Sequence, residues 1–428
     1  MTCILMVLRK IKEVTTSLLT VVVIVKKKIA SHSNPKYIPI SNFLQSCTGL
    51  LHKILNFLSK KYYSDLPLAV YDLRCSACTY DFAYFLYEAE CHFRNKGHEK
   101  FHVIIVPETI GTGTCKESTG YNKGIASCSE EQLVSRILLF LSSILHVSFS
   151  SWKQTSGYDK IITSEHERQR TFNIVLPIAS LYGSCASVNL IDDARMITYT
   201  CRSHSQVYPE NYDGVFLRGM SYNKVFDYER KQCQFSGLKA LALDLDKVKS
   251  WLTSHSVNQQ FVTFTIRHYD FQPERNSNIP VYLEFASYLS NMGIGAVFIP
   301  DTEDLSYIDQ ISDYPVFFAG AFNLYQRQAI YELALTNIFN SNGCSALCAL
   351  NISCSYIMSG IVNRYWTAED HESRGLKYGS QPFCDNRGVW VWESETLASL
   401  QESLNLLLEK NPNWLINLTE NQCLNSLN

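Results

Sequence analysis

Two groups of residues in this chain have the types and spacing of a site that binds a charged, transferable group. Arg267 and Arg275 flank a loop that follows an apolar run, and guanidinium groups bind phosphate oxygens through paired N–H donors. The second group is a turn that consists of Asn342, Gly343, Cys344 and Ser345. A helical stretch follows this turn, so its backbone N–H groups and the helix dipole favour an anion. We predict that both groups bind a diphosphate. The alternative for the arginines is ion pairing with nearby carboxylates, which are Asp270, Glu274 and Asp301.

Transfer of a group to a hydroxyl also needs a general base, and two carboxylates follow apolar runs in the first half of the chain. Asp81 comes after the run 68–73, and Glu108 ends the run 101–108. Either carboxylate can accept a proton from an acceptor hydroxyl that is held near the reacting carbon. The alternative for Asp81 is structural, because a carboxylate in the first turn of a helix capped by Thr79 is stabilised by the helix dipole.

Other patterns have weaker chemical meaning. Asp244 and Asp246 form an Asp-x-Asp pair of the kind that holds a divalent ion in metal-dependent (GT-A) transferases, but the flanking lysines favour a solvated helix. Cys75 and Cys78 form a single C-x-x-C pair without the second pair that a zinc site needs. We predict no metal site and no bound cofactor. The tryptophans of an aromatic stretch near the C-terminus either stack on a ligand or belong to the core, and they are Trp366, Trp390 and Trp392.

Composition limits the class of protein. The 428 residues carry 38 basic and 40 acidic side chains, and the formal charge of −2 lacks the basic excess of a nucleic-acid-binding protein. With 46% hydrophobic and 18% charged residues the chain is not disordered, and its length predicts two or three domains. The 15 cysteines are too sparse for a disulfide scaffold and are odd in number, so we expect mostly reduced thiols and a cytoplasmic location.

Short apolar runs that alternate with helical stretches predict two α/β halves, each with a parallel sheet. In the first half we predict strands at 68–73, 101–108 and 172–179 and a helix over 79–96. In the second half we predict strands at 261–266, 295–300, 316–320 and 355–359. The helices predicted there are one capped by Asn276 or Ser277, one over 323–338, a short one over 344–350 and a final one over 394–410.

The fold class that follows is α/β, with two Rossmann-like, doubly wound domains that face a cleft. Ligands of such sheets bind outside the carboxyl ends of the strands. The predicted organisation is an N-terminal arm (1–64), a first α/β domain (65–240), a connector (241–258), a second α/β domain (259–393) and a C-terminal helix and tail (394–428).

The N-terminal arm contains the one stretch that suggests a membrane. Residues 18–25 are apolar, but Glu13 and the lysines at 26–28 bracket a window too short to span a bilayer. We expect a structural strand or helix here, and the alternatives are a weak association of this arm with a membrane surface and a secretory signal peptide.

The segment 338–359 resembles the donor-binding segment of GT-B-type glycosyltransferases of the heptosyltransferase kind. In that family a strand runs into an Asn–Asp–Ser/Thr–Gly–Pro–x–His–Leu–Ala turn and helix. Four residues keep the pattern, and they are Asn340, Gly343, Leu347 and Ala349. Three depart from it, because Ser341 replaces the acidic residue, Cys344 the proline and Ala346 the histidine.

Arg267 is similar to the strand-end arginine of fucosyltransferase-like GT-B proteins, which contacts the nucleotide diphosphate. Residues 66–395 also resemble, through loose motifs, proteins found with polysaccharide-biosynthesis genes. The resemblance implies a metal-independent glycosyltransferase, with the nucleotide-sugar donor on the second half and a glycan acceptor on the first. The alternatives are an inactive binding or scaffold protein of the same architecture, which the departures at 341 and 346 favour, and a metal-dependent enzyme that uses Asp244 and Asp246.

Overall fold

A computed structural model gives the fold of the chain. It describes residues 66–106, 171–190, 197, 200, 201, 204, 206–212, 219–257, 260–268, 270, 272–301, 305–412 and 414. The N-terminal arm and Glu108 lie outside these residues. None of the helices among them is long and apolar enough to cross a membrane.

Nine strands are present in the described residues. They are β1 (Leu68–Asp72), β2 (Phe101–Val106), β3 (Cys185–Leu190), β4 (Val207–Tyr208), β5 (Phe261–Thr265), β6 (Gly295–Ile299), β7 (Thr336–Asn340), β8 (Tyr356–Ser359) and β9 (Gly388–Trp390). The α-helices of the same residues are α1 (Asp81–Arg94), α2 (Leu176–Leu181), α3 (Tyr222–Arg230), α4 (Ala242–Ser254), α5 (Ile279–Asn291), α6 (Ala319–Phe322), α7 (Leu324–Leu333), α8 (Ala346–Ala349), α9 (Ala368–Ser373) and α10 (Leu397–Lys410).

The strands form two parallel sheets. The first has the order β3-β2-β1-β4 and the second the order β6-β5-β7-β8-β9, and every recorded strand pair in them is parallel. The central strands are buried along their whole length because helices cover both faces of such sheets, which is why they appear in the sequence as unbroken apolar runs. The α/β class with parallel sheets is therefore confirmed.

Both sheets belong to one compact unit, Pro67–Asn428. One core contains buried side chains of both, such as Tyr71 and Phe85 from the first half and Phe339 and Tyr356 from the second. A second core lies between the other face of the second sheet and helices α5 and α10. The predicted domain boundaries stay a prediction.

Helix α1 is held in place by two buried glutamates that extend from it in different directions. Glu88 accepts hydrogen bonds from the Tyr208 hydroxyl and from the Ser221 backbone N–H (2.8 Å). Glu90 accepts one from the Ser236 backbone N–H (2.8 Å). Burial raises the pKa of Glu88, although these donors and Lys224 oppose the rise. The first turn of α1, which begins at Asp81, is therefore fixed relative to β4, α3 and the segment before α4.

Two of the predicted strands are wrong. The run 172–179 is a π-helical turn (Thr171–Val175) followed by α2, and the strand comes later, at β3. The run 316–320 makes a single bridge, from Val316 to Phe298, and then enters α6. Short apolar runs fit a buried helix as well as a buried strand, so periodicity does not separate the two.

The helix predicted over 323–338 stops at Leu333, and β7 occupies the rest of that range. The cap of α5 is Asn278, whose side chain accepts from the Val281 backbone N–H, rather than Asn276 or Ser277. The other predicted strands are confirmed within a few residues at β1, β2, β5, β6 and β8. The helices at α1, α8 and α10 are confirmed in the same way.

We predict that Gly237→Ala destabilises the protein much more than Gly97→Ala. Both glycines have positive φ, +65° and +84°, which costs an L-residue about 1–2 kcal/mol. A Cβ at Gly97 meets nothing within 4 Å, whereas one at Gly237 lies 2.5 Å from the Leu350 carbonyl oxygen. We expect Gly97→Ala to lower the free energy of unfolding by about 1 kcal/mol and Gly237→Ala by about 3 kcal/mol or more. Equal losses in urea denaturation would contradict this close approach of 237 to 350.

Candidate functional site

The strand order of the second sheet reverses beside β5. From β5 the chain continues to β6 on one side and then to β7 on the other, so the loops after β5 and β7 diverge at the carboxyl edge of the sheet. Such a reversal opens a crevice where α/β proteins bind ligands. The residues predicted from the sequence to bind a diphosphate follow β5 and β7, so they lie at this crevice.

Arg267 comes two residues after β5 and is 5% exposed. Its Nη1 donates to the Gln272 carbonyl (3.1 Å) and to Asn276 Oδ1 (2.5 Å), and its backbone N–H donates to Ser277 Oγ (3.0 Å). The side chain thus organises the loop that carries Arg275.

Arg275 crosses the crevice. Its Nε and Nη2 both donate to the Ser341 carbonyl, the former at 3.0 Å, and its Nη1 donates to Gln272 Oε1 (2.6 Å). Of the three carboxylates named as alternative partners of the arginines, Glu274 pairs with Arg364 (2.9 Å). Arg275 is half-buried, so its positive charge lies at the wall of the crevice.

The turn after β7 keeps the predicted shape, and the short helix predicted after it is α8. Ser345 Oγ donates to the Asn342 carbonyl (2.8 Å), and Gly343–Ser345 form a 3₁₀ turn that leads into α8. Because α8 is four residues long, its dipole is small. Fixed positive charge at this edge therefore comes mainly from arginine side chains.

One of these arginines, Arg327 on α7, was not identified from the sequence. It is 5% exposed and donates through Nη1 to Cys344 Sγ (2.6 Å) and to the Tyr80 hydroxyl (3.2 Å), and through Nε to the Gly320 carbonyl (2.5 Å). Among the described residues no carboxylate forms an ion pair with it. Burial acts to lower the pKa of Arg327, but Cys344, Tyr80, Tyr331 and Asp301 together outweigh burial and raise it. A buried positive charge therefore lies directly behind the turn.

Tyr80 joins the first half of the chain to this turn. A Cβ placed on Gly343 would lie 2.9 Å from Tyr80 Cδ2 and 3.2 Å from Tyr80 Cβ, so the ring rests against the glycine backbone. Asp81 is the next residue, and its Oδ1 accepts a hydrogen bond from the Tyr222 hydroxyl (2.7 Å). The structure thus brings Asp81 to the side of the crevice where the turn lies.

A second contact between the halves lies near Asp81. The Arg374 guanidinium stacks 4.0 Å from the Trp366 ring centroid and lies 5.6 Å from that of Tyr222, in cation–π geometry. Burial lowers the pKa of Arg374, and Tyr222 and Asp81 partly oppose this. Trp366 was noted in the sequence as a ring that could face a ligand, whereas Arg374 gave no signal there.

The other candidate residues of the sequence analysis make structural contacts. Asp244 is buried beside Lys247 (3.5 Å) and Asp246 is exposed, because residues two apart on α4 point to different sides of the helix. The two carboxylates therefore do not converge on one ion. Across the described residues no three His, Cys, Asp or Glu side chains lie close enough to hold a metal. Cys78 contacts Thr171 Oγ1 (3.3 Å), and Trp390 and Trp392 belong to the core.

Comparison with known proteins adds two solved structures. No protein-family model and no curated protein matches the sequence. A glycosyl transferase family 9 protein from Veillonella parvula DSM 2008 aligns over 81% of this chain and 98% of its own, with 14% identity and a TM-score of 0.41. The ADP-heptose lps heptosyltransferase II of E. coli aligns over 81% and 99%, with 13% identity and a TM-score of 0.39. We therefore base the proposed function on the residues of the site.

We predict that Gly343→Ala destabilises the protein through its contact with Tyr80. The added methyl group overlaps the Tyr80 ring, and overpacking of this kind costs about 1–3 kcal/mol. In a Tyr80→Ala background the ring is gone and the nearest remaining atom of residue 80 is its Cβ, at 3.2 Å, so the same substitution should cost less. Urea denaturation of the four proteins gives the coupling energy. Additive losses would show that Tyr80 and Gly343 are not in contact.

Proposed function

We propose that the protein is a glycosyltransferase of GT-B-like architecture that moves a sugar from a nucleotide-sugar donor to a hydroxyl of a glycan acceptor. The observation that carries this proposal is the crevice at the switch point of the second sheet. Arg275 spans it, Arg327 lies buried behind it, and Asp81 approaches it from the first half. The residues that resemble the donor segment of heptosyltransferases, 338–359, form one wall of this crevice.

The arginines would balance the charge of the departing diphosphate. A nucleoside diphosphate leaves with negative charge on its phosphate oxygens, and fixed donors stabilise that charge best when they are preorganised. Arg275 offers a guanidinium at the crevice wall, and Arg267 holds its loop in place through Gln272 and Asn276. In the part of the chain that the structure describes, the buried Asn342 Oδ1 has no hydrogen-bond partner, so its side chain has an acceptor left to orient a ligand hydroxyl or amide. No metal ion is needed for this charge balance.

Asp81 would act as the general base. The Tyr222 hydroxyl donates to one carboxylate oxygen, Oδ1, which leaves Oδ2 to accept the proton of an acceptor hydroxyl. As the hydroxyl oxygen attacks the anomeric carbon, the bond from that carbon to the diphosphate breaks and the proton passes to Asp81. Glu108, the other candidate base, lies outside the described residues and stays a prediction. So do the cytoplasmic location and the membrane-surface contact of the N-terminal arm.

We expect one nucleoside diphosphate to raise the melting temperature, and Arg275→Ala to remove that shift. A ligand at 100 times its Kd stabilises the folded state by about 2.7 kcal/mol, which is readily detected. Lys231→Ala removes an exposed positive charge from the end of α3 and serves as the control, with the shift intact. If UDP, GDP, ADP and their sugar conjugates all leave the melting temperature unchanged, the proposed function is wrong.

We expect Asp81→Asn to lower sugar transfer by 100-fold or more with nucleotide binding retained, because general-base catalysis contributes about 10²–10⁴-fold. The measurement is release of nucleoside diphosphate from the nucleotide sugar that stabilises the protein, with a panel of oligosaccharide and lipid-linked acceptors. Asp227→Asn, on the exposed surface of α3, is the matched control. Transfer that persists in Asp81→Asn would show that Asp81 is not the general base. Transfer that EDTA abolishes would contradict the role of the arginines.

A further inference from the structure

A polar pocket of about 170 Å³ opens at the carboxyl edge of the second sheet, beyond Arg275. Loops that follow β5, β7, β8 and β9 form its wall. Its lining includes Arg275, Asn278, Asn340, Gly360, Asn363 and Glu395. None of these residues except Arg275 has a role in the diphosphate site described above.

Glu395 is a buried carboxylate that is only partly satisfied. Its side chain belongs to a residue that is 6% exposed, and Oε1 accepts a hydrogen bond from the Asn278 backbone N–H (2.8 Å). In the described part of the chain Oε2 accepts none. A carboxylate can accept about four hydrogen bonds, so Glu395 can accept more than the one from Asn278. Glu395 therefore presents an acceptor to whatever occupies the pocket.

Asn340, at the end of β7, presents a second acceptor. The residue is 4% exposed, and its Nδ2 donates to the Asn276 carbonyl (3.1 Å), but its Oδ1 is buried without a partner. Its register partner on β8 is Ser359, which is fully buried and whose Oγ also lacks a partner. Two neighbouring strands thus end in polar groups that the described residues do not satisfy, next to Gly360 in the pocket wall.

The balance of charge and hydrogen-bonding groups indicates what the pocket accepts. Glu274 on its rim is already bound by Arg364 (2.9 Å) and by the Tyr365 hydroxyl (2.7 Å). Asn340 Oδ1 is buried without a partner among the described residues, and Glu395 Oε2 can accept a further hydrogen bond, so a donor suits both. Arg275 adds a positive charge to the lining, where we place the diphosphate. An anionic group beside Glu395 would be repelled by its carboxylate, whereas a hydroxyl donates to it and forms a strong charge-assisted hydrogen bond.

We propose that this pocket binds the sugar ring of the donor, and that it selects a neutral, hydroxyl-rich sugar against one that carries a carboxylate. This proposal rests on the proposed function, because Arg275 would place the diphosphate at the mouth of the pocket. Hydroxyl groups of the ring donate to Glu395 and Asn340. A uronic acid is rejected because its carboxylate would lie beside Glu395.

The test uses free sugars, so that it does not depend on nucleotide binding. Saturation-transfer NMR on the full chain is recorded with methyl glycosides of glucose, galactose, mannose and N-acetylglucosamine and with methyl glucuronide. We expect at least one neutral glycoside to bind and the glucuronide not to bind. In Glu395→Gln, which keeps Oε1 as an acceptor for the Asn278 N–H, we expect the affinity to fall at least tenfold. Glu393→Gln, exposed and two residues away, is the matched control and should bind as the unchanged protein does.

Asn340→Ala provides a second variant, with the melting temperature measured to confirm that it folds, and we expect the same loss of affinity. The proposal is overturned if no neutral glycoside binds, if the glucuronide binds as well as they do, or if Glu395→Gln binds them unchanged. Nucleotide binding without sugar binding would overturn the pocket and leave the proposed function intact. Glu395-dependent sugar binding without any nucleotide binding would overturn the proposed function and leave the pocket as a sugar-binding site.

Discussion

The contact between the Tyr80 ring and the backbone of Gly343 sets the geometry on which the candidate site depends. Tyr80 immediately precedes α1, and Gly343 belongs to the turn after β7, so this contact decides how far Asp81 lies from that turn. Arg327 reinforces it, because one of its nitrogens donates both to Tyr80 and to Cys344. The hydrogen bonds of the buried glutamates on α1 then fix β4 and α3 relative to this contact. A substitution at this contact would therefore change the position of Asp81 relative to the turn while both sheets stay intact.

The buried polar side chains of the second sheet differ in whether the described residues supply their hydrogen-bond partners. Asn337, near the start of β7, donates to the carbonyls of Tyr331 and Ser355 and accepts from Thr263, so its amide is satisfied inside the protein. Asn340, three residues later, has an acceptor with no partner among the described residues, as has Thr336 at the start of the strand. Such acceptors cost free energy, and at the carboxyl edge a ligand hydroxyl would relieve that cost. The crevice, with Arg275 at its wall and Glu395 in the adjoining pocket, agrees with a donor that combines a diphosphate and a sugar.

The elements that sequence analysis missed share a physical cause. The run 172–179 has no polar residue except Asn173, so its apolar pattern fits a buried helix and a buried strand equally, and only packing against α1 and β3 decides. Strand β7 follows α7 after two residues without a glycine or proline, so no local signal marks the boundary. The last strand, β9, has only three residues and is stabilised by its pairing with β8.

The sequence by itself determined the α/β class, the central strands, a helix with Asp81 in its first turn and the loops that carry Arg267, Arg275 and the turn 342–345, although the residue that caps this helix is Tyr80 and not Thr79 as predicted. These depend on local patterns: apolar runs, helix-start residues and the order of elements along the chain. Only the tertiary structure decided that Arg327 lies behind the turn, that Arg374 lies over the Tyr222 ring and that Glu395 meets Asn278. The residues of such contacts are far apart in sequence, 247 positions for Arg327 and Tyr80 and 117 for Asn278 and Glu395. Strand order brings them together, and no local pattern in the chain encodes it.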